Sequence, residues 1–278
     1  MYIEEIEREL NQEFRVETDI RLSQAYVIGA GDSFASSITI EGETGGRFRA
    51  IDPYDGFSFD LKGKPTIFVS VSGKPFYNIR LAKKLKGSSE TYAITANPSS
   101  QLAESVDHVI KIPYKSKKPL PGTLSFLMTT YVLFKIAGIE PNVEERQDTY
   151  TLGNNPFFVG SNGNYGISVF AYLKMSEIFG IQSNAERTEQ FCHSPVFSTK
   201  GRQIVILGNS EREKKLAKFI DFTDVKFTGI RDPISNAIIF LKSLLSKMKR
   251  DNWDKIFFLD CRKILNVSSN MIYYDSGS

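Results

Sequence analysis

The chain has 278 residues, 41% apolar and 24% charged, a balance that argues against disorder and gives enough length for two α/β units, each with its own core. A formal charge of +3 is too small to signal a nucleic-acid surface by itself, and it is compatible with a local cluster that binds a small anion. The two cysteines, Cys192 and Cys261, have neither metal-ligand nor Cys-x-x-Cys spacing, so no metal site and no disulfide framework are expected, and a reducing cytoplasm is the expected compartment. No window reaches about 18 apolar residues, the length that a membrane helix needs. Residues 1–13 lack the continuous apolar core of a secretory signal.

In chain order, Ile3, Ile6 and Leu10 spaced among acids predict a short amphipathic helix within residues 1–20. Apolar runs follow, each leading into a helical pattern. Ala25-Tyr26-Val27-Ile28 is strand-like and ends at Gly29. Asp32 to Ile40, rich in small residues, reads as a helix stopped by Gly45-Gly46. Phe48 to Ile51 and Pro65 to Val71 read as strands. Pro75 to Leu85 reads as a helix with proline at its first position and lysines in its last turn. Thr91 to Thr95 and His108 to Pro113 are further strands, and Thr123 to Ala137 is a long apolar helix.

Around residues 141–155 the chain turns polar, with prolines and a glycine, which places a linker between a first unit, 21–140, and a second, 156–278. The second unit repeats the order. Phe157 to Gly160, Gln203 to Leu207 and Val225 to Gly229 read as strands. Tyr165 to Phe179, Glu211 to Ile220 and Ile234 to Met248 read as helices, and the segment after Lys255 is ambiguous. Strands without polar alternation are buried on both faces, as in parallel sheets covered by helices. The expected fold is therefore α/β: two related three-layer α/β/α modules with parallel sheets, flavodoxin-like in kind.

Ligands of such sheets bind beyond the carboxyl ends of the strands. Two loops of the first unit lie there. In Gly29-Ala30-Gly31-Asp32-Ser33, glycines such as Gly31 allow close backbone approach, and Asp32 and Ser33 can bond sugar hydroxyls. In Ser70-Val71-Ser72-Gly73-Lys74, two serines, a glycine and a lysine precede a helix start, where free N–H groups and the helix dipole favour a phosphate. Both could also be ordinary strand-to-helix turns. A dinucleotide site is disfavoured, because Phe34 stands where the third glycine of that fingerprint belongs.

The second loop resembles the Ser-x-Ser-Gly motif of the sugar-isomerase (SIS) superfamily, with Pro75 where that family usually has threonine. The resemblance makes Ser70, Ser72, Gly73 and Lys74 the phosphate site. It also extends to Tyr172-Leu173-Lys174-Met175-Ser176-Glu177, which is similar to a helix in the isomerase half of glucosamine-6-phosphate synthase. His193 follows sixteen residues after Glu177, as in that family's Glu-x-x-His-Gly-Pro turn. It implies Glu177 as the base that moves a proton between C1 and C2, His193 as the acid/base that opens the sugar ring, and Lys174 as an electrostatic partner. Thr123, in a loop resembling the one before the first module's last helix, and a C-terminal lysine, Lys263 or Lys255, complete the set. Departures include Phe170, Gln190 and Ser194, which replace two glutamates and a glycine.

The implied protein is a double-SIS phosphosugar isomerase needing no cofactor. It is a cytoplasmic homodimer with shared active sites, binds a phosphorylated sugar, and has no nucleic-acid or membrane partner. A non-catalytic phosphosugar sensor is the alternative. No glutaminase activity is expected. Taken without the resemblance, Lys174 and Glu177 at i, i+3 would most often be a solvated surface pair, and His193 a structural turn residue.

Overall fold

The computed structural model describes residues 1–144 and 149–274; residues 145–148 of the expected linker and 275–278 of the expected second unit lie outside the described residues. The first series is α1 (Tyr2–Leu10), β1 (Ala25–Ile28), α2 (Asp32–Glu43), β2 (Phe48–Ile51), β3 (Thr66–Val69), α3 (Phe76–Leu85), β4 (Thr91–Thr95), α4 (Gln101–Glu104), β5 (His108–Lys111) and α5 (Leu124–Ile136). The second is β6 (Phe157–Gly160), α6 (Gly163–Lys174), β7 (Asn184–Arg187), α7 (Thr188–His193), β8 (Ile204–Leu207), α8 (Glu211–Phe219), β9 (Val225–Phe227), α9 (Pro233–Arg250), α10 (Phe257–Asp260) and α11 (Arg262–Tyr273).

Two sheets form, ordered β2-β1-β3-β4-β5 and β7-β6-β8-β9, and every pairing is parallel. The strand order reverses between β1 and β3 in one and between β6 and β8 in the other. These are the points where crevices open in doubly wound sheets. The central strands β3, β4, β6 and β8 are buried along their whole length, because successive side chains enter cores on opposite faces. Val27, Ile67 and Ile94 of the first sheet, and Phe158 and Val205 of the second, face one shared core with α2, α5, α6 and α9. Ile28 and Phe68 face a separate core with α3. Val159 and Ile206 face a third, closed by Phe191 of α7 and Leu216 of α8.

Helices α2 and α6 cross the shared core in close contact and run antiparallel. A Cβ on Gly166 would lie 2.2 Å from Thr39 Oγ1, and one on Gly42 would lie 2.1 Å from the carbonyl carbon of Asn162. Backbones approach this closely only at glycine. The pairing sets the first residue of α2, Asp32, beside the last of α6, Lys174.

The structure departs from the expected elements at several places. Pro75 is the cap of α3 (φ −57°, ψ 128°) rather than its first residue. The helix expected to run to Phe179 is α-helical only to Lys174; it then widens over Met175–Phe179, and the Gly180 N–H reaches back to Met175 O, before Gly180 (φ 66°) ends it. Strand β7 went unpredicted because Asn-Ala-Glu-Arg is a polar edge strand with no apolar run. The ambiguous C-terminal segment is helical, and α11 contains no fully buried residue.

Candidate active site

A cavity of about 340 Å³ opens where the order of the first sheet reverses. Asp32 and Ser33 enter it from the loop after β1, and Ser70 and Ser72 from the loop after β3; Glu177 closes the far side. A second cavity, of about 640 Å³, adjoins it at Ser72 and Tyr273 and is lined by Gly73 and Lys74. Ser70 Oγ accepts the Gly73 N–H at 3.1 Å and Ser72 Oγ accepts the Lys74 N–H at 3.3 Å. Both hydroxyls therefore keep their protons to donate. Gly73 has a φ of +66°, and a Cβ there would lie 2.0 Å from Ser100 Oγ, so the loop conformation requires glycine.

Three helix starts lie near the cavity: α2, which carries Asp32 in its own first turn, α5 and α3. At α5 the carboxylate of Glu9, fully buried, accepts the Thr123 hydroxyl, the Leu124 N–H at 3.3 Å and the Tyr114 hydroxyl at 2.9 Å. Helix α1 thus places its own anion where the α5 dipole is positive. Thr123, expected to bind substrate, is fully buried, turned to Glu9 and absent from the cavity wall. At α3, Pro75 has no side-chain acceptor to offer, and no side chain caps the helix. Ser70, Ser72 and the uncapped α3 start can each donate a hydrogen bond to an anion.

The far side of the cavity is a charged cluster. Lys174 is fully buried, and its Nζ donates to Asp32 Oδ2 at 2.7 Å and, over a short contact, to Glu177. Burial opposes the ammonium, but the two carboxylates outweigh it, and the Lys174 pKa is raised. About a third of the Glu177 side chain faces the cavity. Burial pushes its pKa up to about 7; Lys174 opposes that rise and Asp32 adds to it. The i, i+3 pair is therefore an interior one, not a solvated one. Because Lys174 has no exposed surface, it reaches a ligand only through Glu177.

The remaining expected residues are placed apart from the cavity wall. Gly31 turns the chain into α2 with φ 57°. Lys74 is exposed, at the rim of the second cavity. Lys263 on α11 is exposed, and Lys255 is exposed over the Trp253 ring at 4.3 Å; neither lines the first cavity. His193 ends α7 with 70% of its side chain exposed, 3.4 Å from Glu189, and does not line the cavity within one chain. Sequence reasoning missed Glu9, Tyr114 and Tyr273, and reached Gly122 only as part of the loop that resembles the one before the first module's last helix. Only the acid at the turn of an amphipathic helix, Glu9, carried any signal. Among the described residues no His, Cys, Asp and Glu cluster could hold a metal ion, and no helix is long and apolar enough to cross a membrane.

No family model matches the sequence, and no curated protein does. Solved structures do. Glucosamine-6-phosphate deaminase from Thermotoga maritima aligns with a TM-score of 0.72 at 19% identity, over 92% of this chain and 95% of that one. The C-terminal domain of glucosamine-fructose-6-phosphate aminotransferase from Francisella tularensis aligns with a TM-score of 0.62 at 15% identity, over 88% and 91%. Tagatose-6-phosphate ketose/aldose isomerase from Escherichia coli gives 0.58 at 14% identity, over 80% and 81%. The chain has an SIS-type fold. Within this SIS-type fold, Phe170 is a core residue. It stacks on Phe126 with ring centroids 3.7 Å apart and lies 5.3 Å below the Lys174 ammonium. The side chain replacing the expected glutamate thus dries the floor beneath Lys174.

Proposed function

We propose that this chain is a cytoplasmic phosphosugar isomerase of two SIS modules, residues 21–140 and 156–278, joined by 141–155. It interconverts an aldose and a ketose hexose 6-phosphate, or the amino-sugar equivalent, through an enediolate. The carrying observation is that Glu177, held at a pKa of about 7, shares one cavity with the Ser70–Ser72 loop. A base poised near neutrality suits abstraction of a proton from the carbon beside a carbonyl. The three aligned proteins are all named for sugar phosphates, which supports the same reading.

In this mechanism the phosphate sits at Ser70, Ser72 and the uncapped start of α3, with C1 and C2 toward Glu177. Glu177 takes the proton from one carbon and returns it to the other. As the carboxylate is neutralised, the Lys174 ammonium stays in place, and its positive charge favours the developing enediolate. Turnover and solvent-deuterium incorporation at C2, over a panel of hexose and amino-hexose 6-phosphates, test the proposal. Binding of a phosphosugar with neither turnover nor exchange would establish the sensor reading. The exposure of His193 and the Gln190 and Ser194 departures favour that alternative.

Two expected results belong here. Ser70→Ala and Ser72→Ala should each lose a hydrogen bond to a charged group, about 1.5–3 kcal/mol or roughly ten- to a hundredfold in affinity by calorimetric titration. Unchanged affinity would move the phosphate elsewhere. The second result concerns assembly. His193 is outside the cavity of its own chain, so in a homodimer with shared sites it acts on its neighbour's substrate. Inactive Glu177→Gln chains mixed with inactive His193→Ala chains should regain activity in heterodimers. An active protein that sediments as a monomer would rule out the shared site.

A further inference from the structure

Asp32 lines the cavity with 23% of its side chain exposed, yet its oxygens are turned to the protein. Oδ2 already accepts two donors, Lys174 Nζ at 2.7 Å and the Gly122 N–H at 3.1 Å. Oδ1 is sealed from solvent and has no hydrogen-bond partner among the described residues. The contact with Gly122 is built in: a Cβ on that residue would stand 2.2 Å from Oδ2, so glycine alone lets the backbone amide approach. Asp32 also occupies the first turn of α2, where the helix dipole favours its negative charge.

We propose that Asp32 is a positioning residue for Glu177: it pins the Lys174 ammonium across the α2–α6 contact, makes that cation shared between two carboxylates, and does not touch the substrate. The inference rests on the isomerase reading above. The cluster holds two acids and one ammonium. Were Asp32 absent, Lys174 and Glu177 would form a neutral pair, and Glu177 would stay ionised to lower pH as a weaker base. With Asp32 present, the cation is divided and Glu177 keeps its affinity for a proton.

The charged groups acting on Glu177 are Lys174 from α6 and Asp32 from α2. The tyrosines of the same cavity, Tyr114 from the segment after β5 and Tyr273 from α11, are the other titratable groups facing it. Helix α10, which packs against the widened turn, presents the Phe257 ring to Gly180, and its acid, Asp260, is exposed.

The test is Asp32→Asn, which keeps the shape and removes the charge. The Glu177 carboxyl is titrated directly, through the infrared carboxyl bands that are lost in Glu177→Gln. The midpoint should fall by roughly one unit or more in Asp32→Asn, the scale for a like charge removed at this range. Asp32→Glu, which restores the charge, should return it toward the wild-type position. In parallel, kcat should fall several-fold with KM unchanged, and the acid limb of kcat/KM should move to lower pH. A raised KM with an unmoved midpoint makes Asp32 a substrate ligand and overturns the proposal. If the wild type turns over no phosphosugar, the isomerase reading fails, but the infrared titration still decides whether Asp32 sets the state of Glu177. A midpoint equal in Asp32→Asn and wild type overturns that role.

Discussion

Glu177→Gln is expected to lower turnover of a hexose 6-phosphate, and exchange of solvent deuterium at C2, by about 10²–10⁴-fold, the usual scale of general acid–base catalysis. Affinity should change little, because the phosphate donors proposed above, Ser70, Ser72 and the α3 start, are on other elements. The amide keeps the size of the side chain and its contact with Lys174, so the loss reports the missing base rather than a collapsed cavity. The pH profile gives a second reading. Burial holds Glu177 at about 7, and only its ionised form accepts a proton. The kcat/KM of the wild type should therefore fall as pH drops through about 7. That limb should be missing from the residual activity of Glu177→Gln. Undiminished exchange in the variant would remove Glu177 from the reaction. Exchange absent from the wild type as well, with binding intact, would leave a sensor.

The parts of this site written in local sequence were legible, and those made by long-range packing were not. Ser-Val-Ser-Gly after an apolar run gives the loop that reaches the cavity, because its serines and glycine lie within four residues of one another. The buried strands were readable from unbroken apolar runs. The Lys174–Glu177 pair could be found by spacing, but its burial could not. That depends on Gly166 and Gly42 letting α2 press against α6, contacts made between residues more than a hundred positions apart. Thr123 is instructive in the same way. Its loop looked like a ligand site, yet Glu9, from the N-terminal helix α1, takes its hydroxyl. Strand β7 was invisible because an edge strand needs no apolar run. His193 shows the limit of a spacing match: the sixteen-residue interval holds, and the side chain ends exposed on α7.

Lys174→Met should destabilise the protein by about 3–5 kcal/mol, the cost of removing one partner from a buried ionic group. The methionine fits the apolar floor made by Phe170, so the loss is mainly electrostatic. It leaves Asp32 and Glu177 facing each other without a cation, and like charges at that range keep one proton between them. The Glu177 pKa, already raised to about 7, should rise further in the folded variant, while in the unfolded chain it stays near the ordinary glutamate value. A carboxyl with a raised folded pKa contributes stability that is full below its unfolded pKa and is lost as pH rises through the folded one. The variant should therefore come closest to wild-type stability near pH 5 and fall further behind at pH 8, the two conditions for urea denaturation. In the wild type Lys174 offsets much of this penalty, so its stability should decline less over the same interval. A deficit that is equal at both pH values, or larger on the acid side, would mean that Lys174 is not the cation that keeps Asp32 and Glu177 together.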